Sequence, residues 1–197
     1  MNDERLAFDS SFPVHRFRDG FLFIPLIRPL PIKKHPLTTL DRVAYLIATG
    51  LGAGFSPVGP GTCGAIEAVA IYFATGVFGL TPVARLVVVA GLAVFTCMVG
   101  VWASARTCEI CEVKDPGQVV VDEVCGQLVA LMPVALASSP QRVALAFVLF
   151  RLLDIFKPYP IRRVESLPGG FGVMADDVLA GLYGAGLVAA AIYFKLI

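Results

Sequence analysis

The stretch VARLVVVAGLAVFTCMVGVWASA, residues 83–105, decides the fold because it is long and apolar and contains a single charged residue, Arg85. A helix of this length can cross a hydrocarbon core of ~30 Å. Further helical or apolar segments, several of them shorter than a usual span, lie at residues 41–49, 64–80, 124–137, 143–149 and 178–197. The pattern predicts an all-α, polytopic membrane bundle with four or five apolar helices.

The composition of the whole chain agrees with this prediction. Of its 197 residues, 57% are hydrophobic and 16% charged, against roughly 45–50% and about 25% in an average soluble domain. The mean hydropathy of +0.78 is typical of a protein that meets lipid. A net charge of +1 argues against a nucleic-acid partner, and the high hydrophobicity excludes intrinsic disorder.

The first forty residues differ from the remainder of the chain. They contain five prolines, which exclude a long helix. Basic residues alternate there with apolar ones, so this segment either lies on a membrane surface or forms a loosely ordered arm. We therefore predict an N-terminal arm, residues 1–40, followed by one helical domain, residues 41–197.

The polar connections differ in their charge. Those at 81–82 and 138–141 are minimal turns, whereas the others carry most of the basic residues, namely Lys33, Lys34, Arg42, Arg106, Lys114, Lys157, Arg162 and Arg163. The positive-inside rule places these richer connections on the cytoplasmic face. Nearly all carboxylates outside the arm lie in them, so we expect any chemistry on that face.

The first candidate motif is GLGAGFSPVGPGTCG, residues 50–64. Its glycines permit tight turns, and the N-terminus of the following helix offers unpaired N–H groups, a combination that suits a phosphate. It is not a P-loop, because no Gly-Lys-Ser/Thr follows. A flexible re-entrant connection explains the same residues equally well.

The second motif, DPGQVVVDE at residues 115–123, places three carboxylates close together in a chain poor in charge. Asp122 and Glu123 directly precede an apolar helix, where acids also stabilise the helix dipole. The density of carboxylates favours a hard cation such as Mg²⁺.

The third motif is FRLLDIFKPYP, residues 150–160. Arg151, Asp154 and, less closely, Lys157 share one helix face. Ionisable residues at the end of an apolar helix are costly unless they face protein or water, which favours a functional site. Snorkelling side chains with an ordinary salt bridge are the alternative, and they explain Asp154 poorly.

The fourth motif, GGFGVMADDVLAG at residues 169–181, places Asp176 and Asp177 at the threshold of the last apolar helix. One of them is expected to be the N-cap. The other needs a counter-ion, because adjacent like charges raise the free energy. A metal ion would supply it.

Together these motifs predict that acids from distant parts of the chain meet at one membrane face, namely Asp115, Asp122, Glu123, Asp154, Asp176 and Asp177. Arg151, Lys157 and Arg162 would lie within reach. Carboxylates that hold Mg²⁺ and cations that hold a phosphate are the parts of a phosphoryl-transfer site.

The motifs SPxxPGTxG (56–64), DExxG (122–126), FRxxDxxKPxPIR (150–162) and GGxGxMxDDxxAG (169–181) occur in the order seen in the A-type phosphatidylglycerophosphatases, and the chain resembles that family from about Leu46 onward. It differs at Ala65, where the family often has serine, and at Glu67, an additional acid. The resemblance implies a helical, multi-pass enzyme of the bacterial inner (cytoplasmic) membrane. It also implies Mg²⁺-dependent hydrolysis of a phospholipid substrate, phosphatidylglycerol phosphate, to phosphatidylglycerol and inorganic phosphate.

Chemistry suggests the roles of the individual residues. To the Mg²⁺ shell or to water activation we assign Asp122, Glu123, Asp154, Asp176 and Asp177. The substrate-binding candidates are Thr62, Arg151, Lys157 and Arg162, of which Arg151 and Lys157 would neutralise phosphoryl oxygens.

Alternatives stay open at this point. Direct attack by water is preferred, with a covalent aspartyl phosphate as the other route. No cysteine is followed by the loop and arginine of a cysteine phosphatase, and Cys108 and Cys111 are expected to be ordinary reduced thiols. A small transporter and a non-catalytic assembly factor are the rival functions. The sequence does not decide the oligomeric state.

Overall fold

The computed structural model describes residues 37–164 and 166–197, and the regular elements in these ranges are all helical. They are α1 (Thr39–Ala48), a 3₁₀ helix (Gly50–Phe55), α2 (Pro60–Gly76), α3 (Pro82–Cys111), α4 (Val121–Leu136), α5 (Pro140–Phe156), α6 (Ile161–Val164) and α7 (Gly170–Tyr193). The predicted all-α class is confirmed. The predicted arm lies almost wholly outside the described residues, and the division at residue 40 stays a prediction.

Two helices are long and apolar enough to cross a membrane. They are α3, with 30 residues, and α7, with 24 residues. The other helices of the bundle, α2, α4 and α5, have only 16 or 17 residues each. The number of membrane-crossing helices, predicted as four or five, therefore stays a prediction.

Helix α1 begins two residues before the predicted segment 41–49, a start that would have made Asp41 the N-cap. The N-cap is instead Thr38. The Thr38 hydroxyl accepts the N–H of Asp41 at 3.2 Å, and the Asp41 carboxylate accepts the N–H of Thr38 at 2.9 Å, which forms a capping box. These bonds, together with the ion pair to Arg106, hold the pKa of Asp41 below its ordinary value.

The start of α7 corrects a second expectation. The helix begins at Gly170 behind a Gly169 N-cap with φ 61°, so Asp176 and Asp177 lie roughly two turns inside it and neither is an N-cap. The earlier start is possible because Gly170 has no side chain. A Cβ there would overlap the carbonyl oxygen of Val101, so glycine lets α7 approach the backbone of α3 closely.

The central helix of the bundle is α4, which packs against α2, α3, α5 and α7. Its crossing with α7 depends on Gly126 and Gly181. A Cβ at Gly126 would lie 2.5 Å from the carbonyl oxygen of Asp177, and one at Gly181 would overlap the carbonyl oxygen of Gly126. Small residues of this kind allow close backbone contact between apolar helices. The crossing therefore fixes Asp177 against the first turns of α4.

The bundle has two distinct ends. We call the first the cleft end, where α2, α4 and α7 begin and α3 and α5 finish. We call the second the closed end, where short turns join α2 to α3 and α4 to α5 and where α7 finishes. A hydrogen bond of 3.0 Å from the Tyr72 hydroxyl to Ser138 and another of 3.0 Å from Arg142 to the Ile197 carbonyl tie the closed end together.

Candidate active site

A cavity of about 180 Å³ opens at the cleft end. Five segments of the chain contribute to it: the start of α2, the α3–α4 loop, the start of α4, the end of α5 and the first turns of α7. Its charged lining residues are Lys114, Asp115, Asp122, Glu123, Asp154, Lys157, Asp176 and Asp177. Acids that are up to about sixty positions apart in the sequence thus share one small space.

Three of these carboxylates form a compact group. One oxygen each from Asp122, Glu123 and Asp177 lies within 4.8 Å of the other two. Asp122 and Glu123 are in the first turn of α4, and Asp177 is brought to them by the glycine crossing of α4 and α7. Carboxylate oxygens at such mutual distances can bind one divalent cation together.

The group is electrostatically unfavourable by itself. Asp122 Oδ1, Glu123 Oε2 and Asp177 Oδ2 are buried, and no described residue gives them a hydrogen bond. Burial, with Glu123 next to it, raises the pKa of Asp122 well above its ordinary value, and burial likewise raises the pKa of Glu123. Buried carboxylates without donors fit a site built for a cation, because the cation supplies the missing charge.

Two ion pairs border this group. Arg151 Nη1 lies 2.7 Å from Asp154 Oδ2 and 3.9 Å from Glu123 Oε1. Arg151 and Asp154 lie on one face of α5 as predicted, and the salt bridge between them is the contact that the sequence offered only as the alternative to a functional site. Lys157 instead follows the last turn of α5 in a left-handed conformation, φ 43°, and its Nζ lies 2.6 Å from Asp176 Oδ2. Both cations are therefore oriented by carboxylates that line the cavity. Lys157 lines the cavity itself, whereas Arg151 contacts the lining acids Asp154 and Glu123 without belonging to the lining.

The start of α2 approaches the acids through a glycine. A Cβ at Gly61 would overlap Glu123 Oε1 and would lie 3.2 Å from Arg151 Nη1. Pro60 and Gly61 line the cavity, whereas Thr62 is half-buried outside its lining. The use of this loop to bind a phosphate stays a prediction.

The cavity lining differs at two further residues from the site predicted from the sequence. Arg162 is exposed on α6 and does not belong to the cavity lining formed by the described residues. Lys114 does line the cavity, from the α3–α4 loop, and was not among the site candidates. Its place next to Asp115 in a polar connection is the feature of the sequence that could have identified it as a site residue.

The cysteines are reduced, as expected. The Cys108 thiol donates to the Lys114 carbonyl at 2.9 Å, and all five cysteines are thiols.

A family model and two relatives name the same family, and a third relative carries another name. The sequence model of phosphatidylglycerophosphatase A matches residues 46–192. A protein of Bacteroides thetaiotaomicron named "Putative phosphatidylinositol-3-phosphatase" is 45% identical, over 74% of this chain and 91% of the relative. The proteins named phosphatidylglycerophosphatase A from Escherichia coli and Haemophilus influenzae are 37% and 35% identical, over 73% and 84% of this chain and 80% and 97% of their own lengths. No solved structure matches the chain. The family match over most of the bundle, with both relatives of that name, places this chain in the phosphatidylglycerophosphatase A family.

Proposed function

We propose that this protein is a Mg²⁺-dependent lipid phosphatase that hydrolyses the terminal phosphate monoester of phosphatidylglycerol phosphate to phosphatidylglycerol and inorganic phosphate. The observation that supports the proposal most is the group of Asp122, Glu123 and Asp177, whose buried oxygens lack donors among the described residues. The names of the family and of two relatives support the substrate.

The residues present fit a magnesium ion. Asp122, Glu123 and Asp177 would hold it, because Mg²⁺ prefers carboxylate oxygens and usually keeps several water ligands. When bound, the ion supplies Lewis-acid polarisation of the phosphoryl oxygens and of water. Asp154 and Asp176 complete the candidate acids, and each is already paired with a cation.

The cations of the site would bind the phosphate. Arg151 presents a planar guanidinium that can contact two phosphoryl oxygens, and Asp154 fixes its orientation at 2.7 Å. Lys157 contributes a second positive charge, held by Asp176 at 2.6 Å. Charge placed in advance where it develops in the transition state is the main source of acceleration in phosphoryl transfer.

We propose that water attacks the phosphorus directly. Its proton would pass to Asp154 Oδ1, since Oδ2 of the same carboxylate accepts from Arg151. The bond between phosphorus and the glycerol oxygen breaks, and the glycerol oxygen takes up the proton that Asp154 received from the water. The stereochemical course at phosphorus tests this route, with a substrate whose phosphate is made chiral by oxygen isotopes. Direct attack by water inverts the configuration, whereas formation and hydrolysis of an aspartyl phosphate are two inversions and retain it.

Chelation tests the role of magnesium. The expected result is that EDTA abolishes phosphate release from phosphatidylglycerol phosphate by the detergent-purified protein and that added Mg²⁺ restores it. Glu109→Gln, at an exposed acid that pairs with Arg106 away from the cavity, is the matched control and should behave like the wild type. Activity that survives complete chelation would remove the metal from the mechanism.

A second substrate is supported by one comparison. The relative with 45% identity is named for phosphatidylinositol 3-phosphate, and it is covered over 91% of its length. Both lipids carry a phosphate monoester beside a phosphodiester, so the same acids and cations could act on either. The ratio of the two kcat/KM values decides between them, and we expect it to favour phosphatidylglycerol phosphate.

We also propose that the protein is a multi-pass protein of the bacterial inner membrane whose cleft end faces the cytoplasm. Two helices fit a membrane crossing, and the relatives named above are bacterial. Since α7 begins at the cleft end, the C-terminus would then lie on the outer side of the membrane. A C-terminal alkaline phosphatase fusion should be active and a C-terminal fluorescent protein fusion dark, and the reverse result would invert the orientation.

A further inference from the structure

Gln127 is a buried polar residue of α4 that the proposed chemistry does not use. Its side chain is 0% exposed, and neither Oε1 nor Nε2 has a hydrogen-bond partner among the residues that the structure describes. An unsatisfied buried amide is destabilising. Its presence among the apolar residues that follow Glu123 in α4 therefore needs a physical reason.

The position of Gln127 follows from its helical spacing. Residues four apart on a helix lie on one face, so Gln127 falls between Glu123 and Leu131 on α4. Glu123 faces Gly61 of α2 and Arg151 of α5. Leu131 belongs to a buried cluster with residues of α2 and α5 and also with Val89 of α3 and Val188 of α7. The contacts of Glu123, one turn away, place Gln127 on the side of α4 that faces α2 and α5.

The unsatisfied atoms on this side of α4 are chemically complementary. Glu123 Oε2 is a buried acceptor and Arg151 Nε a buried donor, and both lack partners in the described part of the chain. The amide of Gln127 offers one group of each kind, an N–H₂ donor and a carbonyl acceptor. One side chain can thus satisfy both atoms.

We propose that Gln127 is a positioning residue of the candidate active site. Through buried water, its Nε2 donates toward the Glu123 carboxylate and its Oε1 accepts from the side of Arg151 Nε, since the structure has no direct bond between these atoms. A carboxylate has about four lone-pair sites, so Glu123 can accept from the amide and still bind a cation. Gln127 thereby fixes the metal-binding acid relative to the arginine that would contact the phosphate. This consequence rests on the proposed function.

Gln127→Met tests the proposal, because methionine has a similar length and shape but no amide. The first measurement is the Mg²⁺ concentration for half-maximal phosphate release. Loss of a group that orients a metal ligand commonly weakens metal binding by 10–100-fold, and we expect an increase of about tenfold. Leu128→Met, at the adjacent fully buried position, is the matched control and should stay within about twofold of the wild type.

The second measurement needs no catalysis. Unfolding by denaturant, without Mg²⁺, is compared for Gln127→Met, Arg151→Met and the double variant. We expect the two effects to be non-additive, and we expect Mg²⁺ to raise the melting temperature of Gln127→Met less than that of the wild type. Gln127→Leu serves as a second apolar variant.

The outcomes distinguish a failure of this proposal from a failure of the proposed function. Additive effects, with higher stability in Gln127→Met and an unchanged response to Mg²⁺, would show an unsatisfied amide with no positioning role. Absence of hydrolysis by the wild type would overturn the proposed function, whereas coupling between Gln127 and Arg151 in the unfolding cycle would still support the contact.

Discussion

The two ends of the bundle treat their charged groups in opposite ways. At the closed end two arginines donate to backbone oxygens, although Arg142 Nε has no partner among the described residues. Arg85 donates to the carbonyl of Tyr72 at 3.1 Å, and Arg142 donates to the backbone oxygens of Ala137 at 2.7 Å and Ile197 at 3.0 Å. At the cleft end the buried oxygens of Asp122, Glu123 and Asp177 have no donor among the described residues. One end stabilises the fold, and the other holds an unbalanced negative charge.

The difference indicates that the charged groups of the cleft end lower the stability of the fold and serve the binding of a cation instead. Buried carboxylates close to one another raise the free energy of the folded chain unless a cation neutralises them. Such an arrangement has no value for packing alone. Natural proteins commonly retain a destabilised group where activity requires it, so removing charge at the two ends should have opposite effects on stability.

The largest effect is expected from Asp177→Asn. Loss of one carboxylate from the group of three should lower kcat/KM by about 10³-fold, the upper range for a group that stabilises charge in a transition state. Without Mg²⁺ the variant should melt at a temperature equal to or higher than the wild type, because a buried like charge has been removed. A lipid phosphatase assay and thermal unfolding with and without Mg²⁺ measure both. Wild-type rates would contradict the site.

A smaller effect is expected from Gly61→Ala. The added methyl group would occupy the space of Glu123 Oε1 and press on Arg151, so we expect kcat/KM to fall by about 10–10²-fold through misplacement. The matched control is Gly91→Ala on α3, where a Cβ meets nothing within 4 Å. That change should leave the rate unchanged and stabilise slightly. Equal rates for both variants would mean that α2 does not shape the site.

The smallest effect on activity is expected at the closed end. Arg142→Met removes the two bonds to the carbonyls of Ala137 and Ile197, and we expect a loss of about 1–2 kcal/mol in the free energy of unfolding. For a chain of this size the melting temperature should fall by about 5 °C. Phosphate release by the folded fraction should not change. A loss of kcat together with stability would mean that the two ends are not independent.

Much of the architecture was predictable from the sequence. The long apolar run at residues 83–105 predicted α3, and the spacing of Arg151 and Asp154 predicted that they share one face of α5, because both depend on helical geometry alone. The concentration of acids in polar connections on one side of the bundle also follows from reading the chain in order. These are local properties.

Contacts made only in three dimensions were not predictable. The pair of Lys157 with Asp176 requires α5 and α7 to meet at their cleft ends, and the proximity of Asp177 to Glu123 requires the glycine crossing of α4 and α7. The starts of α1 and α7 were misplaced because an acid next to an apolar run suits both an N-cap and a first or second turn. Local pattern does not distinguish these positions.

The unequal lengths of the helices have a consequence for the surrounding lipid. The 17 residues of α2 and of α5, which expose apolar side chains on the outside of the bundle, rise about 26 Å, whereas the 30 residues of α3 rise about 45 Å. In the proposed multi-pass arrangement a bilayer core of ~30 Å is thicker than α2 and α5, and such hydrophobic mismatch is relieved by local thinning. We expect the leaflet to form a depression over the shorter helices. A phospholipid could then present its headgroup to the acids without being lifted out of the leaflet.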